Sequence, residues 1–80
     1  MSERLQNEGR LAELQLQIKE TKLRLQSLRD SLRRELPEFE PLRNLKGDTI
    51  STLALDFAAL QTDYLEMLAT EKAIRKALGK

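Results

Sequence analysis

Residues 11–32, LAELQLQIKETKLRLQSLRDSL, carry apolar side chains at alternating intervals of three and four. This spacing places them on one stripe of an α-helix, in the a/d pattern of coiled coils. The stripe consists of Leu11, Leu14, Ile18, Leu25, Leu28 and Leu32, with Thr21 in its one polar slot. We predict a first helix over residues 3–36, which Pro37 ends because the residue before a proline disfavours helical geometry. Ser2 or Asn7 would cap its start.

A second heptad series follows the two prolines. It consists of Ile50, Leu53, Phe57, Leu60, Tyr64, Met67, Ile74 and Leu78, with Glu71 in its one polar slot. The series predicts a second helix over residues 49–78, which Gly79 would stop. Asp48 or Thr49 would supply the N-cap.

The connection, residues 37–48, reads PEFEPLRNLKGD and contains both prolines of the chain. This segment is too apolar to be a flexible, solvent-exposed linker. We therefore expect Phe39, Leu42 and Leu45 to form a hydrophobic plug over the end of the molecule. The last two would lie on a short helical turn. Residues 1–80 are then one all-α domain, in which two long amphipathic helices form an antiparallel helical hairpin of the coiled-coil type.

The two polar slots suggest how the helices are aligned. A register that pairs Leu14 with Leu78 puts Thr21 and Glu71 in one layer, where the two groups satisfy each other and fix the register. A register shifted by one heptad would face Thr21 with Tyr64 instead. We favour the first, which makes Thr21 and Glu71 a candidate polar register layer.

Four leucines lie outside this seam. Leu16 and Leu23 are nearly opposite the apolar stripe of the first helix. Leu65 and Leu68 widen the apolar face of the second helix. A domain of this size has only a marginal core, so further burial is needed. We expect the hairpin to dimerise into a four-helix bundle through these leucines, or to bind another helical protein.

A basic stripe runs beside the seam of the first helix. It consists of Lys19, Lys22, Arg29 and Arg33. These side chains are suited to contacting the phosphates of a nucleic acid. The alternative is a solvated face that also carries two i,i+4 ion pairs, Glu20 with Arg24 and Asp30 with Arg34. The alternative is favoured because the net charge is only +1 and no aromatic residue interleaves the stripe.

The composition argues against an enzyme. The chain has no His and no Cys, which removes the commonest general base, the commonest metal ligands and any disulfide. Asp56 and Asp63 are two turns apart and have no third ligand on their face, so solubility explains them better than a metal or acid–base site. We therefore predict no catalytic, cofactor-binding or metal-binding residues and no small-molecule substrate.

The expected location is the cytoplasm. No apolar run reaches the roughly 18 residues needed to cross a bilayer, and the start, MSERLQNEGR, lacks the apolar stretch of a secretory signal. Compact helical hairpins of this size are frequent among small bacterial and bacteriophage proteins, and we expect such a source. The predicted function is a structural or protein-binding module that acts by helix packing and self-association. The alternative is a small nucleic-acid-binding regulator that uses the basic stripe of a four-helix dimer.

Overall fold

The computed structural model describes residues 3–80 and contains two long helices packed along one seam. Helix α1 spans Glu3–Glu35 and helix α2 spans Gly47–Ala77, with a short 3₁₀ turn at Leu42–Asn44 between them. The molecule is a rod with dimensions of 61 × 16 × 15 Å. The predicted all-α fold of two long helices in a hairpin is confirmed.

The ends of α1 follow the sequence only in part. The helix stops at Glu35, two residues before Pro37, as the proline predicts. Ser2, one of the two predicted caps, lies outside the described residues. Asn7 is not an N-cap, because the chain is already helical from Glu3.

Helix α2 begins earlier than predicted. Its N-cap is Lys46, whose carbonyl oxygen accepts a hydrogen bond from the backbone N–H of Ile50 at 2.9 Å. The prediction that Asp48 or Thr49 caps this helix is therefore wrong. Asp48 lies in the first turn instead, where its negative charge is favoured by the positive end of the helix dipole.

The end of α2 is a Schellman motif. Gly79 has a φ of 75°, a left-handed conformation that glycine adopts without steric cost. Its N–H donates to the carbonyl of Lys76 at 3.1 Å, and the N–H of Lys80 donates to the carbonyl of Arg75 at 2.8 Å. These two bonds satisfy carbonyl groups that the helix itself leaves without partners. The predicted stop at Gly79 is confirmed.

The core is a single thin stripe between the helices. Its buried apolar residues are Leu11, Leu25, Ile74 and Leu78, and Thr21 is buried among them. The other members of the two heptad series are half-buried: Leu14, Ile18, Leu28, Leu32, Ile50, Leu53, Phe57, Leu60, Tyr64, Met67 and Glu71. Both series therefore face the seam, but a two-helix seam covers only one side of each helix.

One side-chain hydrogen bond joins the buried stripes of the two helices. The Thr21 hydroxyl donates to the sulfur of Met67 at 3.6 Å. The sequence placed Thr21 opposite either Glu71 or Tyr64, and Met67 lies between those two positions on α2. The acceptor is a thioether sulfur between the two positions, which does not separate the two registers, so the pairing of Thr21 with Glu71 stays a prediction. Alignments that differ by three or four residues bury the same stripe, so heptad spacing alone does not separate them.

The connection does not form the predicted plug. The short turn is present, and the N–H of Leu45 donates to the carbonyl of Leu42 at 3.2 Å. Leu45 is half-buried, but Phe39 is 91% exposed and Leu42 is 85% exposed. The end of a rod only 15 to 16 Å across is too narrow to cover three large apolar side chains. Phe39 and Leu42 therefore remain in solvent.

Candidate functional site

Two grooves run along the seam on opposite sides of the hairpin. The first, which we call the basic groove, has a volume of about 190 Å³ and is lined by Lys22, Leu25, Gln26, Arg29, Phe57 and Tyr64. The second, the acidic groove, has a volume of about 540 Å³ and is lined by Arg24, Ser27, Leu28, Asp56, Ala59, Leu60 and Asp63. Lys22 and Arg24 are two residues apart and so point about 200° apart around α1. The side of the hairpin around each groove takes the same name.

The predicted basic stripe lies on the basic side. Lys22 and Arg29 line the groove itself. Lys19 is three residues before Lys22, and Arg33 is four residues after Arg29, so both share that side of α1. All four side chains are exposed. The structure thus brings the whole stripe together along one edge of the seam.

Helix α2 adds two cations that sequence reasoning did not assign to this stripe. Leu68 follows Tyr64 by four residues, Lys72 follows Leu68 by four, and Arg75 follows Lys72 by three. These spacings keep Lys72 and Arg75 on the basic side. Both are exposed. Their place beside the α1 stripe becomes visible only when the two helices are aligned.

The two sides of the rod carry opposite charge. On α1 and α2 the basic side holds six cations: Lys19, Lys22, Arg29, Arg33, Lys72 and Arg75. The acidic side holds mainly carboxylates, with a few arginines among them: Glu13, Glu20, Asp56, Asp63, Glu66, Arg10, Arg24 and Arg34. Glu8 and Glu38 lie at opposite ends of the basic side. The segregation is partial, because Asp30 lies beside Arg33 and Arg34 and Glu71 is half-buried in the seam.

The six cations named above form no ion pair with a carboxylate within residues 3–80. Within residues 3–80 the one ion pair joins Arg4 and Glu8 at 3.5 Å. The two predicted ion pairs, Glu20 with Arg24 and Asp30 with Arg34, are not formed in this part of the chain. Arg34 donates a hydrogen bond to the Ser31 hydroxyl at 3.3 Å instead. The positive charge of the basic side is therefore available to a ligand.

The four candidate leucines form two separate patches. Leu16 and Leu23 lie on the side of α1 that faces away from α2, and each is 57% exposed. Leu65 is exposed and Leu68 is half-buried, and both lie on α2. Leu68 follows Tyr64 by one turn and therefore belongs to the basic side. The structure does not bring the two pairs together.

Sequence reasoning missed three exposed leucines, Leu5, Leu36 and Leu55. Leu55 lies midway between the seam residues Leu53 and Phe57, and its side chain is exposed on the outer side of α2. The signal that identified Leu16, a position opposite the seam, would have found it. Apolar residues thus remain uncovered on the outer sides of both helices.

Asp56 and Asp63 lie in the acidic groove with Arg24. In residues 3–80 no group of three or more acidic side chains is placed to hold a metal ion. No helix in the same range has the length and apolar character needed to cross a membrane.

Comparison with family models, with curated proteins and with solved structures gives no match to this chain.

Proposed function

We propose that this chain is a non-enzymatic helical interaction module that associates with a second copy of itself. The observation that carries the proposal is its exposed surface, 6463 Å² for a chain of 9.2 kDa. A compact monomer of this mass exposes about 4,900 Å². The excess of about 1,500 Å² exceeds the roughly 800 Å² that each partner contributes to a standard interface.

The outer side of α1 is the surface we assign to self-association. Leu16 and Leu23 are seven residues apart on this side, and exposed Ala12 lies one turn before Leu16. Seven-residue spacing is that of coiled-coil packing. In an antiparallel pair of α1 helices, Leu16 would contact Leu23 of the partner subunit. Two-fold symmetry would repeat this contact between Leu23 and Leu16 of the partner subunit. The dimer would then contain four helices.

The basic side is a poor interface for two identical copies. A symmetric contact there would place Lys22 and Arg29 against the same cations of the other copy. Like charges brought together at an interface cost several kcal/mol. Leu65 and Leu68 are therefore left out of the proposed dimer contact, although the sequence grouped them with Leu16 and Leu23.

The test is a pair of charge-introducing variants. Leu16→Glu combined with Leu23→Glu should lower the mass measured by light scattering from about twice 9.2 kDa to 9.2 kDa. The chain should stay helical by circular dichroism, because both positions lie outside the seam. The control is Gln17→Glu combined with Thr70→Glu, which adds the same charge on the acidic side, where both residues line a groove with Arg10. The proposal is overturned if the leucine variant keeps its mass, or if the control loses mass equally.

A further inference from the structure

The cations of the basic side form one row along the rod. Because Thr21 lies beside Met67, the antiparallel alignment places Lys72 and Arg75 beyond Lys19, toward the start of α1. The order along the row is Arg75, Lys72, Lys19, Lys22, Arg29 and Arg33. At 1.5 Å per residue the row extends for about 30 Å. Two helices therefore build a longer line of positive charge than either carries alone.

Two aromatic rings lie in the middle of this row. Phe57 and Tyr64 of α2 line the basic groove together with Lys22 and Arg29 of α1. Both rings are half-buried, so part of each remains open to solvent. The sequence showed no aromatic residue within the basic stripe of α1, because the rings reach it from the other helix. Cations that track a backbone, beside aromatic rings, are the arrangement by which proteins bind single-stranded nucleic acid.

We infer that the basic side binds single-stranded nucleic acid, with phosphates on the cation row and bases against Phe57 and Tyr64. Aromatic rings favour a single strand, because its unstacked bases are free to lie on them. A second copy of the chain is disfavoured on this side by like charge. Leu16 and Leu23 are on a different surface, so strand binding does not depend on the proposed self-association.

The charge contribution is tested by fluorescence anisotropy of a labelled oligothymidylate, titrated at several salt concentrations. For single strands the logarithm of the affinity falls with the logarithm of the salt concentration by about 0.7 per phosphate neutralised. Four to six contacts predict a slope of about −3 to −4. Lys22→Gln combined with Arg29→Gln should make the slope shallower by about 1.4.

The matched control removes the same charge from the acidic side. Arg10→Gln combined with Arg24→Gln lowers the net charge by the same amount but changes residues that line other grooves. For this control, the slope of the logarithm of affinity against the logarithm of salt concentration should equal that of the unmodified chain. Absence of binding at low salt overturns the inference, as does an equal loss in both variants. A Lys22 and Arg29 variant that changes oligomer mass instead of oligonucleotide affinity would identify the basic side as a protein interface and also overturn it.

The aromatic contribution is tested at Tyr64. Tyr64→Phe keeps the ring and should bind the oligonucleotide as tightly as the unmodified chain. Tyr64→Leu removes the ring and should weaken binding by about tenfold, in keeping with the stacking energy of one base. Circular dichroism must show that both variants keep their helices. Equal affinity of the two variants, or equal affinity of the chain for a duplex of the same length, would contradict the assignment to single strands.

Discussion

The cluster at the open end of the hairpin should contribute a large part of its stability. Leu78 is 5% exposed and packs with Leu11 and Ile74, while Leu14 lies against the same cluster. Leu78→Ala removes three carbon atoms from this contact and leaves a cavity. Substitutions of buried leucine by alanine destabilise proteins by about 2 to 5 kcal/mol. We expect about 2 kcal/mol here, because the helix ends beside Leu78 leave the chain room to relax.

The assay is urea unfolding followed by circular dichroism at a fixed protein concentration, since association would make stability depend on concentration. With a slope of about 1 kcal/mol per molar urea for a small chain, the midpoint of Leu78→Ala should fall by about 2 M. Leu42→Ala is the control: its side chain is 85% exposed, so its change should stay within about 0.5 kcal/mol. An unchanged midpoint for Leu78→Ala would refute the packing argument, as would an equal loss for Leu42→Ala.

Three further substitutions test local features by the same unfolding assay. Gly79→Ala should destabilise the chain by about 1 kcal/mol because it forces a side chain into the left-handed conformation; no loss would contradict the Schellman motif. Gly9→Ala should instead stabilise it by about 0.5 kcal/mol, since Gly9 is inside α1 and an added Cβ meets nothing within 4 Å. Thr21→Val keeps the side-chain shape and loses only a weak bond to Met67, so stability should change by less than about 1 kcal/mol. A larger loss would mean that the hydroxyl holds the alignment of the helices.

Much of the fold was predictable from spacing. The seam residues of both helices were identified because one period governs which side chains are covered, and Leu11 and Leu78 are buried as that period requires. The position of α2 along α1 was not predictable in the same way. Shifting α2 by half a heptad keeps the stripes in contact, so the neighbour of Thr21 is decided by local packing. The solvent exposure of Phe39 depends on the width of the hairpin end, which cannot be read from the composition of the connection.

The candidate surfaces were predicted less completely. The basic stripe of α1 follows from helical spacing within one helix. Lys72 and Arg75 join it only through the antiparallel alignment, and Tyr64 reaches the groove only because α2 lies beside it. The net charge concealed the segregation of charge between the two sides, because a sum carries no information about position. The sequence therefore predicts which side chains share one face of a single helix. It does not predict which side chains of two different helices lie side by side.

The measurement that tests the proposed self-association most directly is the mass of the unmodified chain by light scattering coupled to size exclusion, over a wide range of concentrations. We predict a mass of about twice 9.2 kDa at high concentration, falling toward 9.2 kDa on dilution if the dimer dissociates in that range. A folded, helical chain that stays at 9.2 kDa at every concentration would contradict the proposal that Leu16 and Leu23 bind a second copy.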